Sequence, residues 1–222
     1  MRRLLVFLKY PTPGQVKTRL AATVGPEAAS EIYRACVELT VERLRPLAPD
    51  TTVCVEPATA CGRVRAWLGP QWHVHPQVGA SLGERLNGAM AEAFQDGARW
   101  VVCIGTDSPW LTASEVHEAF GVLGRTDMVI GPAEDGGYYL IGLSQPRSEL
   151  FRDMAWSSSQ VYAQTLEKAR ALGIGIQALP TGYDLDEFDD VRRFIAQERV
   201  RGGGSIWLQH MEAISQRRQV YA

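Results

Sequence analysis

The sequence predicts a single α/β domain built on a mainly parallel sheet with helices on both faces. Short runs rich in β-branched and apolar residues alternate with segments of helical periodicity, which is how parallel strands joined by crossover helices read. A length of 222 residues suits one such domain. The apolar fraction of 45% with 22% charged residues is that of a chain with a packed core, not of a disordered one.

Leu4 to Leu8 opens the sheet as a short apolar strand. Ile32, Cys36 and Leu39 recur at helical spacing after Pro26, a residue tolerated in a first turn, and Pro46 closes that helix. Thr52 to Val55 and Trp72 to His75 read as the second and third strands. A helix from about Ser81 to Gln95 follows, with Leu82, Leu86, Ala89 and Ala93 on one face. Trp100 to Ile104 is a central strand. Thr112 and Glu115 have capping-box spacing and start a helix that runs to about Leu123. Met128 to Ile130 and Tyr138 to Leu143 are further strands. Ser157 and Gln160 repeat the capping-box spacing ahead of Val161, Leu166 and Ala169, and a strand near Ile174 to Leu179 comes after them. Gly202, Gly203, Gly204 and Ser205 form a flexible break before a final amphipathic segment with Ile206, Leu208, Met211 and Ile214. That tail packs on the core or on a second copy of the chain, the latter making a homodimer.

Charge and cysteine usage exclude several classes. A formal charge of -2 gives no electrostatic case for a nucleic-acid partner, so any basic site must be local. Cys36, Cys54, Cys61 and Cys103 have no paired metal spacing and suit packed free thiols in a reducing compartment. The first apolar run is too short for a membrane span and has no small-residue cleavage site, so the expected location is cytoplasmic. His73 and His75 share one strand face without partners at ligand spacing and read as structural.

The chemistry concentrates in a few segments. KYPTPGQVKTRL leaves the first strand through a turn containing Pro13 and Gly14 and delivers Lys9, Lys17, Thr18 and Arg19 around one loop. Its amides and cations can neutralise a polyphosphate, although a plain surface turn stays open. In IGTDSP, Thr106 and Asp107 follow a strand at the edge where α/β sheets present ligand groups. Asp107 is the first candidate ligand for Mg2+ or Mn2+, with an ordinary turn or cap aspartate as the alternative. Asp184 and Asp186 flank Leu185 with alternate spacing and could complete a metal site, or serve only as the acidic approach to a helix. GPAEDGGYYLIGL sets Asp135, Gly136 and Gly137 before a strand whose Tyr138 and Tyr139 point to opposite faces; its backbone can approach a ligand closely, or form only a hairpin-like turn with no ligand. In SLGERLNGA, Leu82 and Gly83 lie in a first helical turn whose amides an edge-on base could reach, with an ordinary N-capped helix as the alternative. Ser157 and Ser158, beside Trp156, mark a helix start on the far half of the sheet. Together with Asp135 to Tyr138 they are the expected acceptor site, with an anionic acceptor favoured by the helix-start amides; a core Trp156 with serines that only cap the helix is the alternative.

Taken together, KYPTPGQVKTRLA, SLGERLNGA, IGTDSPWL, GPAEDGGYYLIGL, LFRDMAWSSSQV and YDLDEFDDV resemble the radical-SAM/selenodomain-associated transferase family across about residues 3 to 195. The resemblance implies the GT-A, or nucleotide-diphospho-sugar transferase, fold over residues 1–200 and a divalent metal, with residues 201–222 as an appended segment. A more distant similarity, to phospholactate and phosphoenolpyruvate guanylyltransferases, rests on the lysine before the proline loop, the Lys17-Thr18-Arg19-Leu20 run and the late aspartates. It implies that Asp107, Asp184 and Asp186 hold magnesium and that Gly83 and its neighbours face the base. Glu187 and Ser158 stand where that family usually carries threonine.

The expected partners are a nucleoside triphosphate or nucleotide sugar and a small-molecule acceptor. Lys17, Arg19 and Asp107 carry the catalytic expectation, which the basic loop tilts toward nucleotidyl transfer with release of pyrophosphate. Glycosyl transfer, with Asp135 or Glu134 as base, is the alternative. Non-catalytic nucleotide binding would leave the three carboxylates without a reason to converge.

Overall fold

The computed structural model of the chain describes residues 1–202 and 205–219. The predicted glycine-rich break therefore falls partly outside the described residues, at Gly203 and Gly204. In chain order the elements are β1 (Arg2–Lys9), α1 (Thr18–Val24), α2 (Pro26–Arg43), β2 (Thr51–Glu56), α3 (Cys61–Leu68), β3 (His73–Pro76), α4 (Leu82–Gln95), β4 (Trp100–Gly105), α5 (Ala113–Leu123), β5 (Met128–Pro132), β6 (Tyr138–Leu143), α6 (Val161–Ala171), β7 (Ile176–Ala178), α7 (Phe188–Val200) and α8 (Ile206–Gln219).

Among the described residues seven strands form one sheet, in the order β3-β2-β1-β4-β6-β5-β7. β1 pairs in parallel with β2 and β4, β2 with β3, and β5 with β7, while β6 runs antiparallel to both of its neighbours. The mainly parallel sheet is thus present, with one reversed strand. The reversal follows from chain length: residues 133–137 are too few for the crossover that a parallel β5–β6 pair would need.

Strand alternation divides the core between the two faces. Leu4, Val6 and Leu8 of β1 turn to a cluster shared with Tyr33 and Val37 of α2, Val64 of α3 and Phe120 of α5, whereas Leu5 turns to Leu86 and Met90 of α4 and Ala169 of α6. A third cluster joins α2, α7 and α8 through Ile32, Cys36, Phe194, Leu208 and Met211, so the C-terminal helix lies on the core. Each such fully buried aliphatic side chain stabilises by roughly 1.5–3 kcal/mol. All four cysteines are free and buried, consistent with packed thiols.

Local signals explain most helix ends. Pro26 occupies the first turn of α2, Ser81 Oγ accepts from the Glu84 amide at the start of α4, and Thr112 with Glu115 closes the capping box of α5. The second capping box does not form. Ser157 adopts a left-handed φ of 64°, which a capping serine cannot use, and Gln160 precedes α6 without a side-chain cap. α3 escapes a periodicity reading because Gly62, Arg63 and Arg65 dilute its apolar face.

Candidate functional site

The sheet grows from β1 outward through β2 and β3, then resumes on the other side of β1 with β4. A ligand crevice is expected outside the carboxyl ends at that switch point. Lys9 ends β1 and Asp107 lies two residues beyond β4. The segment carrying Asp184 and Asp186 returns to the same edge, where the Leu185 amide donates to the Asp107 carbonyl at 2.8 Å. Leu185 is fully buried among α2 and α7 side chains, and alternation in an extended run turns the aspartates on either side of it the opposite way.

The basic loop is shaped by a turn in which the Gln15 amide donates to the Thr12 carbonyl at 3.0 Å, with Gly14 at a left-handed φ of 75°. Val16 and Leu20 are buried and clamp the segment on both sides of Lys17, which is itself left-handed at φ 47°. The Lys17 side chain is only 3% exposed, and its Nζ bridges Asp107 Oδ1 and Asp186 Oδ1, the latter at 2.9 Å. Burial acts to lower its pKa, but the charges of Asp107 and Asp186 outweigh burial and hold the ammonium protonated. Lys17 therefore stands between two carboxylates, while Lys9, Pro13, Gly14, Thr18 and Arg19 remain exposed.

Tyr33 of α2 underpins this arrangement. Its hydroxyl accepts from the Lys9 amide at 3.1 Å and shares a 2.8 Å hydrogen bond with Thr106 Oγ1, so one side chain ties together the ends of β1 and β4. Lys17 Nζ lies 5.8 Å from the centre of the Tyr33 ring. Asp184 accepts from the buried Ser108 hydroxyl. Burial, then the charge of Asp107, pushes its carboxyl up to about 7 against the opposing effects of Ser108 and Lys17. Among the described residues no three Asp, Glu, His or Cys side chains form a ready-made metal cluster.

Two cavities open on this edge. One, of about 270 Å³, is walled by Gln15, Lys17, Thr18, Arg19 and Asp186. The other, of about 260 Å³, runs from Glu56, Gln77 and Leu82 to Tyr138, Tyr139, Ser108 and Asp184. Lys9, Tyr33 and Asp107 line both. Gly83 is not on either wall. A Cβ there would collide with the Phe151 carbonyl and the Trp156 indole, so its glycine serves the close packing of α4 against the segment from Phe151 to Trp156.

The acceptor segments meet, but directly. Gly136 has a φ of 88°, and a Cβ on it would strike the Ser159 carbonyl. Its own carbonyl accepts from the Tyr162 amide at 2.9 Å. That amide belongs to the first turn of α6, so it is spent on Gly136 and not offered to an anion. Ser158 Oγ is likewise committed, donating to the Ala155 carbonyl at 2.7 Å and accepting from the Gln160 amide. Asp135 Oδ1 takes the Gly137 amide at 2.8 Å, and Ser157 is exposed. Glu134 is held by both guanidinium nitrogens of Arg193, at 2.7 and 2.9 Å. These bonds lower its pKa and make it a poor general base. Tyr138 instead lines the cavity with a buried hydroxyl that has no hydrogen-bond partner among the described residues. His73 and His75 are exposed on β3, with His75 Nδ1 3.7 Å from Glu92.

Sequence reading missed Tyr33, Ser108, Glu56 and Gln77. Tyr33 sits inside the helical apolar stripe of α2 and reads as core. Ser108 could have been found, since it adjoins Asp107 in a strand-end motif.

Comparison with known proteins adds the following. The sequence profile of a family described as an uncharacterized protein conserved in bacteria (DUF2064) matches residues 40–158. A phosphoenolpyruvate guanylyltransferase of Chloroflexus aggregans is 25% identical over 198 residues, covering 82% of this chain and 92% of that protein. The crystal structure of a protein from Desulfovibrio desulfuricans G20, provisionally named a nucleotide-diphospho-sugar transferase, is 35% identical. It covers 97% of both chains with a TM-score of 0.86. The structure of Rv0371C of Mycobacterium tuberculosis H37Rv in complex with manganese shares the fold at 17% identity and a TM-score of 0.53, covering 87% of this chain and 97% of that one. These findings carry the nucleotide-diphospho-sugar transferase fold and the guanylyltransferase similarity; they do not touch the radical-SAM part of the resemblance.

Proposed function

The chain belongs to this bacterial DUF2064 family, and from that premise we propose a nucleotide-dependent transferase that moves a nucleotidyl group from a nucleoside triphosphate to a small anionic acceptor, releasing pyrophosphate. The observation that carries the reading is the continuity of the two cavities. A basic pocket of about 270 Å³ around Arg19 adjoins, across Lys9, Tyr33 and Asp107, a second cavity of about 260 Å³ whose walls extend to Glu56, Leu82 and Tyr138, so that phosphates and nucleoside can lie side by side along one edge. The guanylyltransferase similarity supports nucleotidyl transfer in particular.

In this reaction an acceptor oxygen attacks the α-phosphorus, the bond from that phosphorus to the bridging oxygen breaks, and pyrophosphate leaves with the electron pair. Little covalent chemistry falls to the protein, so positioning and charge neutralisation dominate. Lys9 and Arg19 bind the β- and γ-phosphates. Lys17 fixes the orientation of Asp107 and Asp186, and Tyr33 fixes the strand ends that present them.

A divalent cation fits the donor set. Asp107, Asp184 and Asp186 offer hard carboxylate oxygens on one crevice edge, and burial and then the charge of Asp107 push the Asp184 carboxyl up to about 7, a cost that a bound cation would offset. Magnesium or manganese there would neutralise phosphate oxygens. Magnesium needs only one or two carboxylates, with phosphate and water completing its shell, so the ion and the nucleotide are expected to bind together. The manganese complex of the distant fold relative is consistent with this.

The test is to supply each nucleoside triphosphate with a panel of small phosphate and carboxylate acceptors, with magnesium or manganese, and to measure pyrophosphate. Acceptor-dependent pyrophosphate release supports the proposal. Acceptor-dependent release of nucleoside diphosphate from a nucleotide sugar, with no pyrophosphate from any triphosphate, overturns it. That outcome would favour glycosyl transfer, the reading that the name of the Desulfovibrio relative supports.

A further inference from the structure

We propose a second divalent-cation site, of the zinc type, formed by His73 and His75 of β3 with Glu92 and Asp96 of α4 and separate from the crevice. The four residues line a cavity of about 490 Å³ between α4 and the β3 edge of the sheet, with Leu5, Thr52 and Cys54 as its floor. Arg3 and Leu5 place this cavity along the first half of β1, whereas the crevice opens past Lys9 at the carboxyl end of that strand. Among the described residues the cavity shares no lining side chain with either crevice pocket.

Local geometry gathers these side chains. Strand alternation sets His73 and His75 on one face, because Val74 between them is buried in the core on the other. Glu92 and Asp96 lie one helical turn apart and share a stripe of α4. The helix also turns Gly88 toward this space, where a Cβ would approach only the Val78 carbonyl, at 3.7 Å, so room is left above the strands. His75 Nδ1 lies 3.7 Å from Glu92 Oε1. That is too long for a hydrogen bond and close to the separation of about 3.3 Å between two ligands of one tetrahedral zinc. The ligands are not preassembled, but the His75 and Glu92 side chains are 54% and 61% exposed and can turn onto an ion.

The donor set selects the class of ion. Two imidazoles with two carboxylates suit zinc, whereas magnesium takes oxygen ligands and keeps much of its water. Among the described residues lining the cavity Arg3 is the sole arginine or lysine, and it stands on β1, two strands away from the histidines. Sequence spacing gives His73 and His75 no partners because both carboxylates come from the far end of the next helix. An ion here clips the edge strand to α4. Gln77 follows β3 and Leu82 begins α4, and both line the larger crevice pocket, so the clip braces one wall of the crevice from behind.

The experiment is calorimetric titration of the full chain with zinc chloride, in excess magnesium and without nucleotide. Zinc should bind the parent protein, and His73→Ala and His75→Ala should each weaken it about tenfold or more, the scale already seen when only the support of a metal ligand is lost. Asp107→Asn, which removes a carboxylate of the crevice, should bind zinc as the parent does. Zinc should also raise the thermal unfolding midpoint of the parent and of Asp107→Asn, since an ion held by the folded chain stabilises it, but not that of the protein carrying both histidine replacements. Both histidines are exposed, so without zinc these variants should unfold close to the parent. Zinc binding that survives both histidine replacements overturns the proposal, including the case in which Asp107→Asn abolishes it and the ion belongs to the crevice. Absence of zinc binding by the parent overturns it as well, and neither result bears on nucleotide transfer.

Discussion

Lys17 and Asp186 stand 169 positions apart in the sequence and are joined by a 2.9 Å ion pair at the mouth of the crevice. The same ammonium holds Asp107, so a residue read from sequence as a phosphate-binding cation also organises the acidic side of the site.

This dual placement separates Lys17 from Arg19. Lys17→Met should destabilise the protein by about 2–3 kcal/mol, because two carboxylates lose their shared partner. The figure lies below the cost of breaking a fully buried pair, since Asp107 and Asp186 are 45% and 39% exposed. Arg19→Ala should leave stability nearly unchanged and weaken triphosphate binding about tenfold, with little effect on the free nucleoside. Urea unfolding together with calorimetry decides the matter. Equal stability losses in the two variants would contradict the bridging role of Lys17.

The Asp184 carboxyl gives the site a pH signature. Its pKa is about 7 in the folded chain, through burial and then the charge of Asp107, against roughly 4 when unfolded. Between those values the folded state binds more protons, so the contribution of Asp184 to stability is fully present below about pH 4 and is lost as pH rises through 7. Asp184→Asn keeps an oxygen for the Ser108 hydroxyl and cannot ionise. In chelator and without nucleotide, the variant should match the parent near pH 4 and exceed it above pH 7 by on the order of 2–4 kcal/mol. A stability difference that stays constant from pH 4 to pH 8 would rule this out.

The contact between Gly136 and Ser159 predicts a sharp contrast between two glycines. Gly136→Ala meets both a φ of 88° and the Ser159 carbonyl, whereas Gly14→Ala meets a φ of 75° with nothing within 4 Å. The first should cost about 2–4 kcal/mol and the second about 1 kcal/mol. Thermal unfolding of both variants checks it, and similar losses would mean that the β5–β6 turn yields around the added methyl.

The legible parts of the site are those governed by local rules. Asp107 was visible because a carboxylate follows an apolar strand, and the Asp184-Leu185-Asp186 run because a buried residue between two polar ones has a defined alternation. The reversed β6 was also available from the five-residue connection at 133–137. What stayed hidden depends on partners distant in sequence. Tyr33 reads as one more apolar helix residue, and only the fold sets its hydroxyl against Thr106. Ser157 and Gln160 have the spacing of a capping box, yet the packing of the Gly136 turn against Ser159 and Tyr162 overrides it. α7 does begin with a box, but Glu187 and Asp190 form it, so the usual Ser/Thr signal is missing.

The last prediction concerns the support beneath Asp107. Arg43, at the end of α2, donates to the Pro109 carbonyl two residues beyond Asp107 and pairs with Glu198 of α7. The two side chains are 17% and 5% exposed, so the pair is largely removed from water, with Arg201 a second partner for Glu198 at 3.3 Å. Arg43→Ala leaves a buried carboxylate with only that exposed arginine and strips the Pro109 carbonyl of its donor. A loss of about 3–5 kcal/mol is expected. Replacing both members with methionine should cost less than the sum of the single replacements, because the double variant leaves no buried charge without a partner. The coupling in such a cycle should reach about 1–3 kcal/mol. Chemical unfolding of the four proteins measures it, and additive losses would show that Arg43 acts through its aliphatic packing alone. If the Pro109 contact also positions Asp107, the residual folded Arg43→Ala protein should bind nucleotide more weakly than a variant of equal stability altered far from the crevice.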